Sequence, residues 1–326
     1  MKILTNSSVR CFRKCARAYK FQYHDMIRPV SSAAALTFGR LFHEALAVWF
    51  EYPDSRLNKA LGAIFVSDAD ELDKVVASEL IIGYDARWSS EQIETVAVER
   101  SFEMPLVNPI SGATSRTWIV GGKLDLLVKV NGKIMLGEHK TSSENIIPGS
   151  VYWQRLQLDS QISTYYAGAR AEGFDVEGCM YDVIGKPRIR PYKATAVEAR
   201  KYKKDGTLYA NQHADDESLT EFRTRLHADI AENPDQYYQR GEVYRNYEEE
   251  RLAACDLWQL ALNIRACEKS NAWPRNPDGC WKYQRACDYW PVCIGERSID
   301  DPFMYRKATT QHEELDNESA TNVCPF

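Results

Sequence analysis

A chain of 326 residues, 44% hydrophobic, 11% aromatic and 27% charged, has enough apolar side chains for a large core, which excludes a disordered or fibrous protein. No run of roughly 18 uncharged apolar residues occurs and the stretch from Met1 to Arg10 lacks the apolar segment of a signal peptide, so a soluble, cytoplasmic protein with no membrane association is expected. The net charge of -5 argues against a uniformly basic nucleic-acid coat but is compatible with a local basic groove.

In chain order, the first segment is basic. Arg10, Arg13, Lys14, Arg17, Lys20 and Arg28 face a single acid, Asp25, with Phe12, Tyr19, Phe21 and Tyr23 interleaved. Cys11, Cys15 and Tyr19 recur every four residues, which predicts one face of a helix opened by the Asn6-Ser7-Ser8 cap signal. A second helix is predicted over 33–50, with Leu36, Leu46, Trp49 and Phe50 as its apolar positions and Gly39 and His43 one turn apart. Residues 60–95 read as helical and 96–104 and 118–141 as strands. Helix returns over 152–172, and a strand over 179–184 runs into the basic segment Lys186, Arg188, Arg190 and Lys193. Helical pattern resumes over 218–268, broken near Pro234, with Leu252, Cys255, Trp258 and Leu262 as its expected buried stripe. Residues 311–326 hold four acids and no Lys or Arg, so a flexible acidic tail is expected beyond a single folded domain, with the boundary at 300/301. There is no internal repeat, and no G-x-x-x-x-G-K-[ST] that would make the chain a nucleotide-driven motor.

The strongest local signal is Asn131-Gly132 between two alternating runs, a dipeptide that favours a two-residue type I′ hairpin. Val130 then faces Lys133, and the ladder extended inward puts Asp125 opposite Glu138 and Lys123 opposite Lys140. Like charges facing each other across strands are destabilising. A divalent cation resolves the repulsion, because two carboxylates supply the hard oxygen ligands that Mg²⁺ or Mn²⁺ prefers and a nearby lysine can orient or activate a water. Taken alone, the same residues also fit an exposed hairpin of mixed charge.

Nine cysteines are many for a chain expected in a reducing compartment, where disulfides are disfavoured. Cys280, Cys287 and Cys293 fall within fourteen residues, which suggests metal chemistry. Cys179, Cys255 and Cys267 fit unligated buried thiols, and Cys324 lies in the tail and is expected to be free.

Asp125 followed by Gly137-Glu138-His139-Lys140-Thr141 resembles the D…(D/E)-x-K core of the PD-(D/E)XK nuclease superfamily. Within it the pattern is most similar to the RecB-like exonuclease branch with CRISPR-associated and phage-encoded members. There a G-x-x-x-H helix precedes the core and a Q-x-x-x-Y helix follows it; here these are Gly39 to His43 and Gln161 to Tyr165, in the expected order. The resemblance spans roughly residues 7 to 295. It implies an α/β fold with a restriction-endonuclease-like central mixed sheet flanked by helices, and a metal-dependent DNA exonuclease acting on single strands from an end, with 5′ to 3′ polarity common among similar proteins. It further implies that Asp125, Glu138, His43 and the main-chain carbonyl of His139 bind Mg²⁺ or Mn²⁺, with Lys140 beside the attacking water and Gln161 and Tyr165 near the DNA backbone or the lysine. The cysteines resemble those of iron–sulfur members: Cys15, in a C-x-R-x-Y stretch, joins Cys280, Cys287 and Cys293 around a [4Fe–4S] cluster that staples the two ends of the chain. Zinc is the alternative metal by count, and Cys11 the alternative fourth ligand. Helicase, recombinase or integrase partners are implied as well. The rival reading is a DNA-binding or assembly subunit with a vestigial nuclease site.

Overall fold

The computed structural model describes residues 1–30, 34–282 and 285–315; Cys324 lies outside them. In chain order the elements are β1 (Lys2–Leu4), α1 (Asn6–Lys14), α2 (Ala16–Tyr19), a π-helical turn (Lys20–His24), β2 (Ile27–Pro29), α3 (Ala34–Glu51), α4 (Arg56–Val66), α5 (Glu71–Trp88), β3 (Ile93–Val107), β4 (Thr114–Val130) and β5 (Lys133–Ser142). They continue as α6 (Val151–Leu156), α7 (Ser160–Ala171), β6 (Val176–Gly185), α8 (Leu219–Glu232), α9 (Pro234–Tyr237), β7 (Tyr238–Val243), α10 (Tyr247–Ser270), β8 (Trp281–Lys282), β9 (Arg285–Ala286), α11 (Trp290–Cys293) and β10 (Tyr305–Lys307).

The centre is a mixed six-stranded sheet in the order β1-β4-β5-β6-β7, with β3 on the other side of β4. β4 holds it together. One edge of β4 pairs antiparallel with β3 along most of its length, while the other is shared: β1 runs parallel beside Trp118 to Val120 and β5 antiparallel beside Leu126 to Val130. The β4–β5 turn is the expected one, with positive φ at both central residues, 51° at Asn131 and 82° at Gly132, as a type I′ turn demands. Val130 faces Lys133 and the register runs inward as far as Leu126 and Gly137. β5 also pairs with β6 in parallel and β6 with β7 antiparallel.

Alternation of the strands sends apolar side chains to both faces, and helices cover both. On one face Leu124, Leu127, Leu136 and Tyr181 pack with Ile162, Tyr165 and Tyr166 of α7, with Val9 and Tyr19 from the N-terminus and with Ala261 and Ile264 of α10. On the other, Leu126, Val128, Met135 and Ile184 pack with Phe42, Leu46 and Trp49 of α3, with Leu80, Ile81 and Tyr84 of α5, and with Phe222 and Leu226 of α8. A third, smaller core joins the ends of the chain: Ala18, Phe21, Tyr289 and Tyr305 enclose the half-buried Cys11, Cys15, Cys287 and Cys293.

Several expectations are corrected. Cys11, Cys15 and Tyr19 do not lie on one continuous helix. Helix α1 is capped by Thr5, whose side chain accepts from the Ser8 N–H, and ends at Cys15, which is extended with φ -166° and ψ 118°. The break is enforced from afar, because the Arg17 N–H donates to the Pro274 carbonyl at 3.1 Å rather than to its own helix. The helix expected over 152–172 is two, separated at Asp159, whose side chain accepts from the Gln161 N–H and caps α7. On α10, Leu252 and Leu262 are exposed; Trp258 packs against the core as expected, half-buried beside Leu257, and the fully buried positions are Ala261 and Ile264. Residues 301–315, assigned to a tail from composition, are built into the fold: β10 pairs antiparallel with β2, Tyr305 stacks on Tyr289, and Ala308 and His312 are buried.

Candidate active site

The site forms where β4 loses a partner. Beyond the Leu126–Gly137 pair β5 leaves β4, and β1 begins only at Val120, so the edge of β4 between them is unpaired. Gly137 permits the close approach just before the strands part: a Cβ there would stand 2.8 Å from Leu126 Cδ2 and 2.9 Å from its Cβ. Asp125 and Glu138 are therefore not a ladder pair. Instead Asp125 Oδ2 accepts the His139 main-chain N–H at 3.1 Å, filling the place of the missing strand bond. Lys123 and Lys140 are not opposite each other either; Lys123 forms an ion pair with Glu99, which holds a left-handed φ of 50° facing Asp125 across β3.

Glu138 and Lys140 point to the α7 face. Lys140 Nζ donates to Glu138 Oε1 and, at 2.9 Å, to Gln161 Oε1, and Gln161 Nε2 donates to the Tyr165 hydroxyl at 2.9 Å. From the opposite face α3 brings His43, whose Nδ1 stands 3.6 Å from Asp125 Oδ2. The structure thus gathers His43, Asp125, Glu138, Lys140, Gln161 and Tyr165 around one gap in the sheet. Asp159, which nothing in the sequence spacing selects, also belongs to this neighbourhood: it caps α7, accepts from the Tyr181 hydroxyl at 3.2 Å, and adds its charge to those acting on Lys140. The Asp-Ser-Gln start of α7 is an N-cap signal that could have placed it.

Burial drives the electrostatics. Glu138 is 1% exposed, and its Oε2 is buried without a hydrogen-bond partner among the described residues. Burial first, then repulsion from Asp125, raise its pKa to about 7 against the pull of Lys140. Asp125 is raised too, by burial and in part by Glu99, against His139 and Lys140. Burial alone would lower Lys140, but the Glu138, Asp125 and Asp159 carboxylates outweigh it and keep the ammonium charged. His43 is pushed down to about 4, by burial and then by His139, so at neutral pH it offers a lone pair. Among the described residues no group of three or more His, Cys, Asp or Glu side chains is disposed as it stands to hold a metal ion. The donor chemistry nonetheless fits a divalent cation: a buried and a half-buried carboxylate that resist ionising together, one carboxylate oxygen with no partner, and a neutral imidazole beside them.

A model of the PD-(D/E)XK nuclease superfamily matches residues 3–294, nearly the whole described chain. The chain belongs to the PD-(D/E)XK nuclease superfamily. Membership implies a metal-dependent nuclease, a hydrolase acting on nucleic acid, and PD-(D/E)XK nucleases use divalent metals such as Mg²⁺ or Mn²⁺. The mixed sheet flanked by helices fits the PD-(D/E)XK fold. No curated protein matches the chain. Among solved structures the chain is similar to the crystal structure of SSO0001, at 16% identity and a TM-score of 0.31, over 81% of this chain and 86% of that one. No helix is long and apolar enough to cross a membrane among the described residues.

Four cysteines, Cys11, Cys15, Cys287 and Cys293, pack against the small core between the chain ends. Cys15 sits in the break between α1 and α2, Cys287 and Cys293 pack into the same small core, and Cys280 adjoins them through its carbonyl, which accepts the Cys287 N–H at 2.7 Å. No disulfide joins the described cysteines. Burial, and then the Cys15, Cys287 and Cys280 charges, push the Cys293 thiol up. Cys11 lies in the same core, but burial above all pushes its pKa to about 12, and its thiol donates to Gln22 Oε1 at 3.7 Å. Cys179 is fully buried as expected, whereas Cys255 and Cys267 are only half-buried.

Proposed function

We propose that this PD-(D/E)XK nuclease is a metal-dependent exonuclease that hydrolyses phosphodiester bonds of single-stranded DNA from an end. The observation that carries the reading is the meeting of Asp125, Glu138 and Lys140 at the gap in the sheet, with Glu138 Oε2 buried and unpartnered. Asp125, Glu138, His43 and the His139 carbonyl would hold Mg²⁺ or Mn²⁺. A bound divalent ion supplies Lewis-acid polarisation of a phosphoryl oxygen and a water of lowered pKa. Lys140, kept charged by its carboxylate neighbours, is suited to stabilise negative charge on the phosphoryl oxygens rather than to accept a proton. Gln161 fixes the Lys140 ammonium, and Tyr165, its pKa driven well up by burial, stays a neutral phenol whose oxygen accepts from Gln161 Nε2 and does not serve as a base.

DNA would approach over the N-terminal segment, because Arg10, Arg13 and Lys14 are exposed on α1 and Arg13 reaches Ser160 at the start of α7, next to Gln161. Arg188 and Arg190 are exposed beyond the end of β6, and Lys186 stands over the Phe38 ring of α3 at 5.0 Å, so a second basic segment borders the site. Arg17 is not part of this surface: its Nε donates to the Trp273 carbonyl. Four thiolates from Cys15, Cys280, Cys287 and Cys293 would hold a [4Fe–4S] cluster that joins the two chain ends. Cys15, Cys287 and Cys293 pack into one small core without disulfides, which supports this reading, although as they stand no three described cysteines are disposed to hold a metal ion.

Anaerobically purified protein incubated with end-labelled single strands, with and without Mn²⁺, tests the reading. Progressive shortening that needs the metal and vanishes in Lys140→Ala supports it. Tight DNA binding with no cleavage by the parent would favour an assembly subunit, and cleavage by Lys140→Ala at the parent rate would move the site elsewhere.

A further inference from the structure

His139 is the residue between Glu138 and Lys140, and its side chain leaves the α7 face for the interior beneath α3 and α5. There it meets a row of charge. Across the sheet His139 on β5 is in register with Asp182 on β6, and Asp182 with Arg240 on β7. His139 Nδ1 stands 3.3 Å from Asp182 Oδ2, an ion-pair approach that leaves Nδ1 without a hydrogen-bond partner among the described residues, and Arg240 Nε donates to Asp182 Oδ1 at 3.2 Å. Tyr84 of α5 donates its hydroxyl to Asp182 and accepts from Arg240 at 2.7 Å. Arg240 closes the row against Glu91 and over the Trp88 ring at 4.2 Å. His139 is 3% exposed and Asp182 fully buried.

Arg240 and His139 hold the Asp182 carboxyl well below its usual range despite its burial, so the row keeps its charges, but an apolar packing could serve stability as well. Taking charges out of water costs several kcal/mol each in effect, and apolar replacements of buried ion pairs are often neutral or stabilising. What the row does achieve is visible at its inner end. The His139 ring is clamped between Phe50, at 5.5 Å between centroids, and the edge of His43, at 6.0 Å. The same residue's main-chain N–H holds Asp125. One residue, its ring set against Asp182, therefore touches one proposed ligand through its ring and holds another through its main chain.

We propose that the Asp182–His139 pair, tied down by Tyr84 and Arg240, is a positioning device for the divalent-cation site, acting chiefly through His43. This rests on the metal-dependent reading above and extends it to residues on the sheet's buried face. Neither Asp182 nor His139 through its side chain touches substrate. Partners of this kind behind metal-binding residues typically change metal affinity about 10- to 100-fold when removed.

The experiment is calorimetric titration of Mn²⁺ alone into metal-stripped parent, Glu138→Ala, Asp182→Asn, His43→Ala and the Asp182→Asn/His43→Ala double variant, with thermal melts of each metal-free protein. The expected result is Mn²⁺ binding about 10-fold weaker in Asp182→Asn, and a change of less than about 3-fold from the same substitution when His43 is already Ala. His139→Gln, which removes the ring but keeps the main chain, should weaken binding in the same way and stands in if Asp182→Asn does not fold. Unchanged Mn²⁺ affinity in a folded Asp182→Asn or His139→Gln would overturn the proposal, whatever happens to the melting temperature, as would an undiminished effect in the His43→Ala background. A parent that binds no Mn²⁺, or binds it equally well in Glu138→Ala, would sink the metal site itself and this proposal with it. Binding lost in Glu138→Ala but intact in Asp182→Asn would sink the positioning role alone.

Discussion

Replacing Glu138 with Gln should make the metal-free protein more stable at alkaline pH, not less. The side chain is 1% exposed, keeps its shape in the substitution, and still offers Oε1 to Lys140. An acid whose pKa rises from 4.5 to about 7 on folding costs the ionised folded state about 3 kcal/mol relative to the unfolded chain. Because the raised group is an acid, that cost is absent below 4.5, where both states are protonated, grows as pH rises, and is complete above 7. The new amide group sits where Oε2 had no partner, which takes back about 1 kcal/mol. A net gain of about 2 kcal/mol at pH 8 follows, or about 3 °C in melting temperature for a chain of this size. Urea and thermal melts of chelator-treated protein at pH 8 and pH 4.5 read it directly. In Mn²⁺ the order should invert, since ligand at 100 times its Kd stabilises a competent parent by about 2.7 kcal/mol and leaves the variant behind. Equal stability of the two metal-free proteins at pH 8, or a gain that persists undiminished at pH 4.5, would refute the picture of a buried Glu138 carboxylate held against repulsion from Asp125.

Gly168→Ala on α7 would drive a Cβ to within 2.4 Å of the Phe102 ring, so it should cost about 1–3 kcal/mol in denaturant melts and slow cleavage by shifting Tyr165, which meets that ring edge-on at 6.0 Å; Phe102→Leu in the same chain should recover much of both. Cys15→Ser, Cys280→Ser, Cys287→Ser or Cys293→Ser should each remove iron and brown colour, lower the melting temperature and cost up to about 5 kcal/mol of stability if the clip acts as a cross-link across the chain. Cys11→Ser should keep the colour, and stoichiometric zinc in a colourless parent would replace the iron in this account. Arg13→Gln should lower by about 0.7 the slope of log affinity for single strands against log salt, measured by fluorescence anisotropy, with an unchanged slope placing the DNA elsewhere.

The β4–β5 hairpin was legible in the sequence because its determinants are adjacent residues: Asn131-Gly132 supplies two positive φ values and the alternating runs supply the register. Helix α3, with Gly39 and His43 a turn apart, was legible for the same reason, since short-range period survives whatever packs on it, whereas the order of Gly39–His43, Asp125, Glu138–Lys140 and Gln161–Tyr165 carried meaning only through the resemblance to the nuclease family. The tertiary structure decided what happens where segments compete. β1 and β5 divide one edge of β4, so Asp125 and Glu138, expected as a ladder pair, flank a gap that no count along the hairpin reveals. A carbonyl at Pro274 breaks the helix through Cys15, and β2, remote in sequence, captures residues whose composition read as tail. His139, expected to contribute its main chain alone, has a side chain that meets Asp182 on β6 and His43 and Phe50 on α3, and Asp182 is held in turn from β7 and α5. A backbone hydrogen bond or a buried charge must be satisfied by whichever group the fold brings within reach, and that group is set by chain closure over hundreds of residues rather than by local pattern.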